Sequence, residues 1–225
     1  MRVTPYSLVL IMTAFAAAPS WAAEETRTVA AFKAVEFSGI GQVDVTAGQD
    51  QSVTLIADRK TLEQIVTTVE DGTLKIKWES NRKRHSWLWR FVMPDDHDSD
   101  RVTIKITAPE VHKVGVSGAA EVNARNIAGD SVEFSVSGAA KIKANGKADR
   151  LTVSISGAGD ADLDRLEVKD AVVSIAGVGK AQVYPTSTLN ATIAGAGEIR
   201  YGGEPKVVSS ISGAGSVRGG RKNKK

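Results

Sequence analysis

Asp160, Asp162 and Asp164 alternate along the chain, a spacing that puts three carboxylates on one face of a strand. Carboxylates so placed can hold a metal ion, or act as acid and base on a glycosidic bond, as in a polysaccharide-active enzyme. That chemistry needs a further acid, a cation or a histidine around the same bond. Lys141 and Lys180 flank Asp160 in the repeat described below, but a ladder of alternating charge already accounts for them, so the aspartates are assigned to a solvated face. Asp96, Asp98 and Asp100 resemble the start of a calcium loop. Arg101 stands where that loop needs glycine and Thr107 where it needs glutamate, so pairing with nearby cations is the better assignment. The serines and the histidines His85, His97 and His112 form no Gly-x-Ser-x-Gly elbow and no metallohydrolase motif. There is no GxGxxG and no P-loop either. The expectation is a non-enzymatic binding or structural module with no catalytic residues, no metal and no cofactor; a polysaccharide-active β-helix enzyme and an oligomeric envelope scaffold are the alternatives.

Binding chemistry is better represented. Arg82, Arg84, Trp87, Trp89 and Phe91 form a basic, aromatic stretch, followed by the acidic Asp95 to Asp100. Trp87, Trp89 and Phe91 share one face if extended. They can then stack on sugar rings, meet a lipid interface, or cap the end of a core. The 81–100 segment is the longest without repeat logic, and long loops carry function disproportionately. These five residues are the candidate contacts to envelope glycan or another envelope component.

The scaffold that must position them is legible as a repeat. Ser117-Gly-Ala-Ala recurs as variants beginning at Ser137, Ser156, Ala176, Ala194 and Ser212, at steps of 20, 19, 20, 18 and 18 residues. An earlier copy begins at Ser38. The motif glycines are Gly39, Gly118, Gly138, Gly157, Gly177, Gly195 and Gly213. Val116, Val136, Ile155, Ile175, Ile193 and Ile211 stand just before them, with Val114, Phe134, Val153, Val173, Ala191 and Ser209 two further back. Period-two spacing of β-branched residues predicts strands, and the fixed step predicts stacked coils that turn at the glycines. Because parallel connections are right-handed, the sequence predicts an all-β, right-handed parallel β-helix with coils of about 18–20 residues, the six C-terminal coils spanning roughly 24 Å. Three residues after each motif glycine, Glu121, Lys141, Asp160, Lys180 and Glu198 alternate in sign, as in-register stacking selects. Ser135, Ser154, Ser174, Thr192 and Ser210 should face outward on a flat surface suited to homo-oligomer contact.

Upstream, Phe32 to Val45 reads as strand, corner and strand, and Val53 to Ala57 as a strand. Thr61 to Ile65 reads as a helical turn after Asp58, and 66–78 as a hairpin about Asp71-Gly72. Val102, Ile104 and Ile106 form a strand that Pro109 ends.

Arg2, the apolar run Leu8 to Ala18 and the small residues around Ala22 read as a signal peptide, 1–22; the run is shorter than the ~20 residues that span a bilayer. Export to the periplasm or cell surface follows, with no transmembrane span in the mature chain. The chain carries 42% apolar and 24% charged residues and no cysteine, which excludes wholesale disorder and disulfide stabilisation. Its net charge of +3 is concentrated in a basic tail, 218–225, and nucleic acid is not an expected partner.

The glycine corners, with Phe32-x-x-Val35-x-Phe37-Ser-Gly-Ile-Gly and Gly72-x-Leu74-x-Ile76, resemble the putative auto-transporter adhesin head GIN domain family over about Phe32 to Val217. The resemblance implies a secreted or surface β-helix, adhesin-like, and no catalytic residues. The segment at 81–91 departs from the family pattern as an insertion, and no translocator barrel follows Val217.

Overall fold

A computed structural model describes residues 23–78 and 102–220. The expected signal segment, the 81–100 loop with Arg82, Arg84, Trp87, Trp89 and Phe91, and residues 221–225 lie outside the described residues. The described chain is all-β apart from one helical turn. Its elements are β1 (Ala23–Thr26), β2 (Ala34–Ala47), β3 (Ser52–Ala57), α1 (Arg59–Leu62), β4 (Ile65–Glu70), β5 (Thr73–Trp78) and β6 (Val102–Ala108), followed by β7 (Lys113–Val136), β8 (Ala139–Ile155), β9 (Ala158–Ile175), β10 (Val178–Tyr201) and β11 (Lys206–Gly219). β11 thus runs two residues past Val217, the expected end of the domain.

From β2 onward the long strands pair in parallel, in the order β2-β7-β8-β9-β10-β11. The repeat step sets the register: Ile155 stands beside Ile175, and Ile175 beside Ile193. The chain also returns to its own flank within one element. Glu133 N–H donates to the His112 carbonyl and Ser137 N–H to Val116, both at 2.8 Å. The start of β7 therefore lies along its own end.

Alternation explains why these residues form strands and what holds them together. Val116, Val136, Ile155, Ile175 and Ile193 are at most 3% exposed, as are Val114, Phe134, Val153, Val173 and Ala191. β-Branched and aromatic side chains fill the inward columns, and polar residues occupy the positions between them. Ser209 and Ile211 continue the columns in register but are exposed, because among the described residues no further pass covers β11.

An entirely parallel sheet is not what forms. β1 pairs antiparallel with β3, β3 with β6, and β4 with β5. For β4 and β5 the reason is local: Asp71 at φ 51° and Gly72 at φ 70° make a tight reversal, as the Asp-Gly pair predicts, and a reversal this short leaves no room for a parallel crossover. The sheet is mixed at its N-terminal end and parallel thereafter.

The helical turn depends on Asp58. Its carboxylate accepts from Lys60 N–H at 3.0 Å and Thr61 N–H at 3.1 Å, and from the Thr61 hydroxyl. The hydroxyl bond, seconded by the N–H bonds and opposed by partial burial, holds this carboxyl below its ordinary range. A depressed carboxyl stabilises the fold above its unfolded pKa, and the gain is lost as pH falls through the folded value. Asp58→Ala is expected to cost about 1 kcal/mol at neutral pH, with the difference shrinking on acidification, as read from urea midpoints across pH.

Candidate functional site

The corners stack into a ridge. Gly39, Gly118, Gly138, Gly157, Gly177, Gly195 and Gly213 lie one above another, and from Gly118 onward a Cβ added at any of them would overlap the carbonyl oxygen of the preceding corner glycine. That same oxygen carries the corner's hydrogen bonds: Ala158 N–H donates to Gly138 and Val178 N–H to Gly157, both at 2.8 Å. Gly39 differs, because the atoms nearest its Cβ would be side-chain atoms of Phe37 and Trp78, at 3.2 and 3.3 Å, and not a backbone carbonyl. Beside the glycines runs a crest of small apolar residues, on which Ile40 (62% exposed) and Val178 (63%) stand out. Repeat logic covers the glycines but not these two, whose apolar side chains occupy a position that is elsewhere alanine.

The ridge also shows where the 79–101 segment is anchored. β5 runs parallel to the first part of β2, with Lys77 beside Ser38, and β6 runs parallel to the second part, with Val102 beside Gly41. Where β2 turns with Gly39 and Ile40, the neighbouring pass instead departs at Trp78 and rejoins at Val102. The departure point is fixed by the Trp78 indole N–H, which donates to Gln64 Oε1 at 3.1 Å, and the return by Val102, which is 1% exposed.

On the outer sheet surface, Ser135, Ser154, Ser174, Thr192 and Ser210 are in register and face outward. The charge column is in register too: Glu121 beside Lys141, Lys141 beside Asp160, Asp160 beside Lys180. Its Glu121 closes its ion pair diagonally, on Lys143 at 3.1 Å, and other rungs form at Lys147–Glu167 (3.0 Å) and Lys169–Asp149 (2.8 Å). Exposed pairs of this kind are each worth about 0–1 kcal/mol and serve register more than stability.

The three alternating aspartates are not brought to one site. Asp162 and Asp164 line a surface groove of about 300 Å³ with Asn123, Arg125, Lys143, Asn145 and Arg165, and Asp160 is not part of it. Desolvation first, then the charge of Asp162 and a hydrogen bond to it, raises the Asp164 carboxyl above its ordinary value, with Arg165 pulling the other way. Sequence reasoning missed the groove's other residues. The signal was present in the columns five and seven residues after the motif glycine: Asn123, Lys143 and Asp162, then Arg125, Asn145 and Asp164. Among the described residues no three His, Cys, Asp or Glu side chains gather as metal ligands. His112 is tied to Glu110 at 3.3 Å and to the Ser131 carbonyl at 3.4 Å; His85 and His97 are outside the described residues. No helix among the described residues is long and apolar enough to cross a membrane.

No curated protein matches the chain. A solved structure of a putative adhesin from Bacteroides fragilis is similar with a TM-score of 0.65 at 18% identity, covering 89% of this chain and 98% of that one. Another putative adhesin, from Parabacteroides merdae, is similar with a TM-score of 0.50 at 16% identity, covering 90% and 97%. At such identities the likeness is one of fold. The family described as "Putative auto-transporter adhesin, head GIN domain" matches residues 31–205, and with most of its length matched the chain belongs to that family.

Proposed function

We propose that this protein is an exported, non-enzymatic binding module, a right-handed parallel β-helix that contacts envelope glycan through the segment carrying Arg82, Arg84, Trp87, Trp89 and Phe91. The observation behind the reading is the anchoring of 79–101. The other corners are a few small residues, whereas the segment between Trp78 and Val102 carries in its sequence five cations, two tryptophans, a phenylalanine and four aspartates. Its ends sit on Trp78 and Val102, both packed on a rigid sheet, which is how binding loops are usually mounted. Tryptophan supplies the flat apolar area a pyranose ring stacks on, and arginine supplies hydrogen-bond donors to its acidic and hydroxyl groups. The β-helix itself is supported by the parallel register and by β7 returning to its own flank one repeat later. The family's adhesin description fits surface binding.

The test compares the full chain with a Trp87→Ala/Trp89→Ala variant for binding to purified envelope polysaccharides. Loss of two stacking residues should weaken binding by about tenfold or more with an unchanged unfolding midpoint. Unchanged binding by a folded variant, or no binding by the parent chain, overturns the reading.

Homo-oligomer contact through the outer face is a second reading. It rests on the outward-facing Ser135-to-Ser210 ladder and on Val172, 40% exposed on the same sheet. Small side chains in a flat array allow close approach of an identical sheet.

A further inference from the structure

We propose that the β11 end of the stack is a docking surface for anionic lipid headgroups. β11 pairs with β10 on one side, and among the described residues nothing pairs with its other side. The inward column is therefore cut open. Val207 is 37% and Ile211 43% exposed, while Leu189 and Ile193, their register partners one pass below, are fully buried. Val208 adds an outward apolar side chain, 67% exposed. Lys206 and Arg218 bracket this apolar strip, and Arg221, Lys222, Lys224 and Lys225 follow in sequence. From Lys206 to Lys225 there is no aspartate or glutamate at all.

Charge and apolarity together select the occupant. Two β11 edges paired about a two-fold axis would set cations against cations with no acid between them, which disfavours a second copy related in that way. A soluble polyanion or a nucleic acid would match the cations but leave Val207, Val208 and Ile211 in water. An anionic bilayer surface satisfies both sets. Phosphate oxygens accept from Lys206, Arg218 and the open-edge N–H groups, and the aliphatic side chains reach the acyl boundary. Burying an open strand edge in hydrocarbon is prohibitive, so contact stops at headgroup depth. The ridge gives this a direction: the Trp78–Val102 anchor lies at the opposite end of the corner ladder, seven steps or roughly 34 Å away at ~4.8 Å per step. The inference goes beyond the glycan reading and uses different residues.

The experiment is flotation of the full chain with phosphatidylcholine vesicles containing or lacking phosphatidylglycerol, at low and high salt. Partition should require the anionic lipid, weaken with salt, and fall about tenfold or more in both Lys206→Gln/Arg218→Gln and Val208→Ser/Ile211→Ser. Val208→Ser alone serves if the double apolar variant lowers the unfolding midpoint. Duplex DNA is the competitor. Equal binding to DNA with no effect of the apolar substitutions would reduce the surface to a polyanion site and overturn the proposal. So would a dimer that Val208→Ser dissociates, or no partition into anionic vesicles. None of these results depends on Trp87 or Trp89, so failure here leaves the glycan reading standing, and the reverse.

Discussion

Gly157→Ala is expected to destabilise the protein by about 3–5 kcal/mol, enough to remove much of an ordinary domain's stability. The methyl group would occupy the space of the Gly138 carbonyl oxygen, which is accepting the Ala158 N–H at 2.8 Å. Relief requires the two corners to separate, so the substitution both strains packing and weakens a hydrogen bond. The backbone adds to the cost: Gly157 has φ 152°, a region that L-residues with a Cβ rarely occupy. Gly39→Ala is the control. It carries the same motif, yet the atoms nearest its Cβ would be side-chain atoms of Phe37 and Trp78 at 3.2–3.3 Å, a contact that needs a shift of only a few tenths of an ångström and not the displacement of a backbone carbonyl. Its cost should stay within about 1 kcal/mol. Urea midpoints at unchanged slope compare the two. Equal costs would mean that intrinsic strand propensity, and not corner stacking, is why glycine occupies these positions.

That contrast shows what was legible in the sequence. The glycine step fixes the register, because each corner admits only one neighbour position, and the β-branched columns then place the buried residues correctly from Val114 to Ile199. The antiparallel pairing of β1 and β3 was not legible. Each is a single short strand, whose partner is chosen by packing with residues far away in sequence and not by any local pattern. The Asp162–Asp164 groove was obscured for a related reason. Alternation puts three aspartates on one face only while the strand stays regular, and the ladder between β8 and β9 slips between Lys143 and Asn145, where the groove forms. The exposure of Ile211 was hidden because a repeat pattern says which residues align, not which copy lies uncovered.

Phe134→Ala is the second large effect expected, about 3–5 kcal/mol, and its spatial reach is as informative as its size. Phe134 is fully buried and is the one aromatic in a column otherwise filled by Val114, Val153, Val173, Ala191 and Ser209. Its neighbours cannot swing in to fill the void, since Val153 is held in register by the ladder on both sides. In a globular core such a cavity loosens everything. In stacked passes, contact is with nearest neighbours alone, and the damage should stay local. Amide exchange is therefore expected to accelerate in β7 and β8 and to change much less in β10 and β11, whose Ala191 and Ser209 stand three and four passes away along the column. Phe134→Leu, keeping most of the volume, should restore the greater part of the protection. Uniform loss of protection across all the long strands would show one cooperative core, and with it a poor basis for the β-helix reading and for two ends of the molecule acting separately.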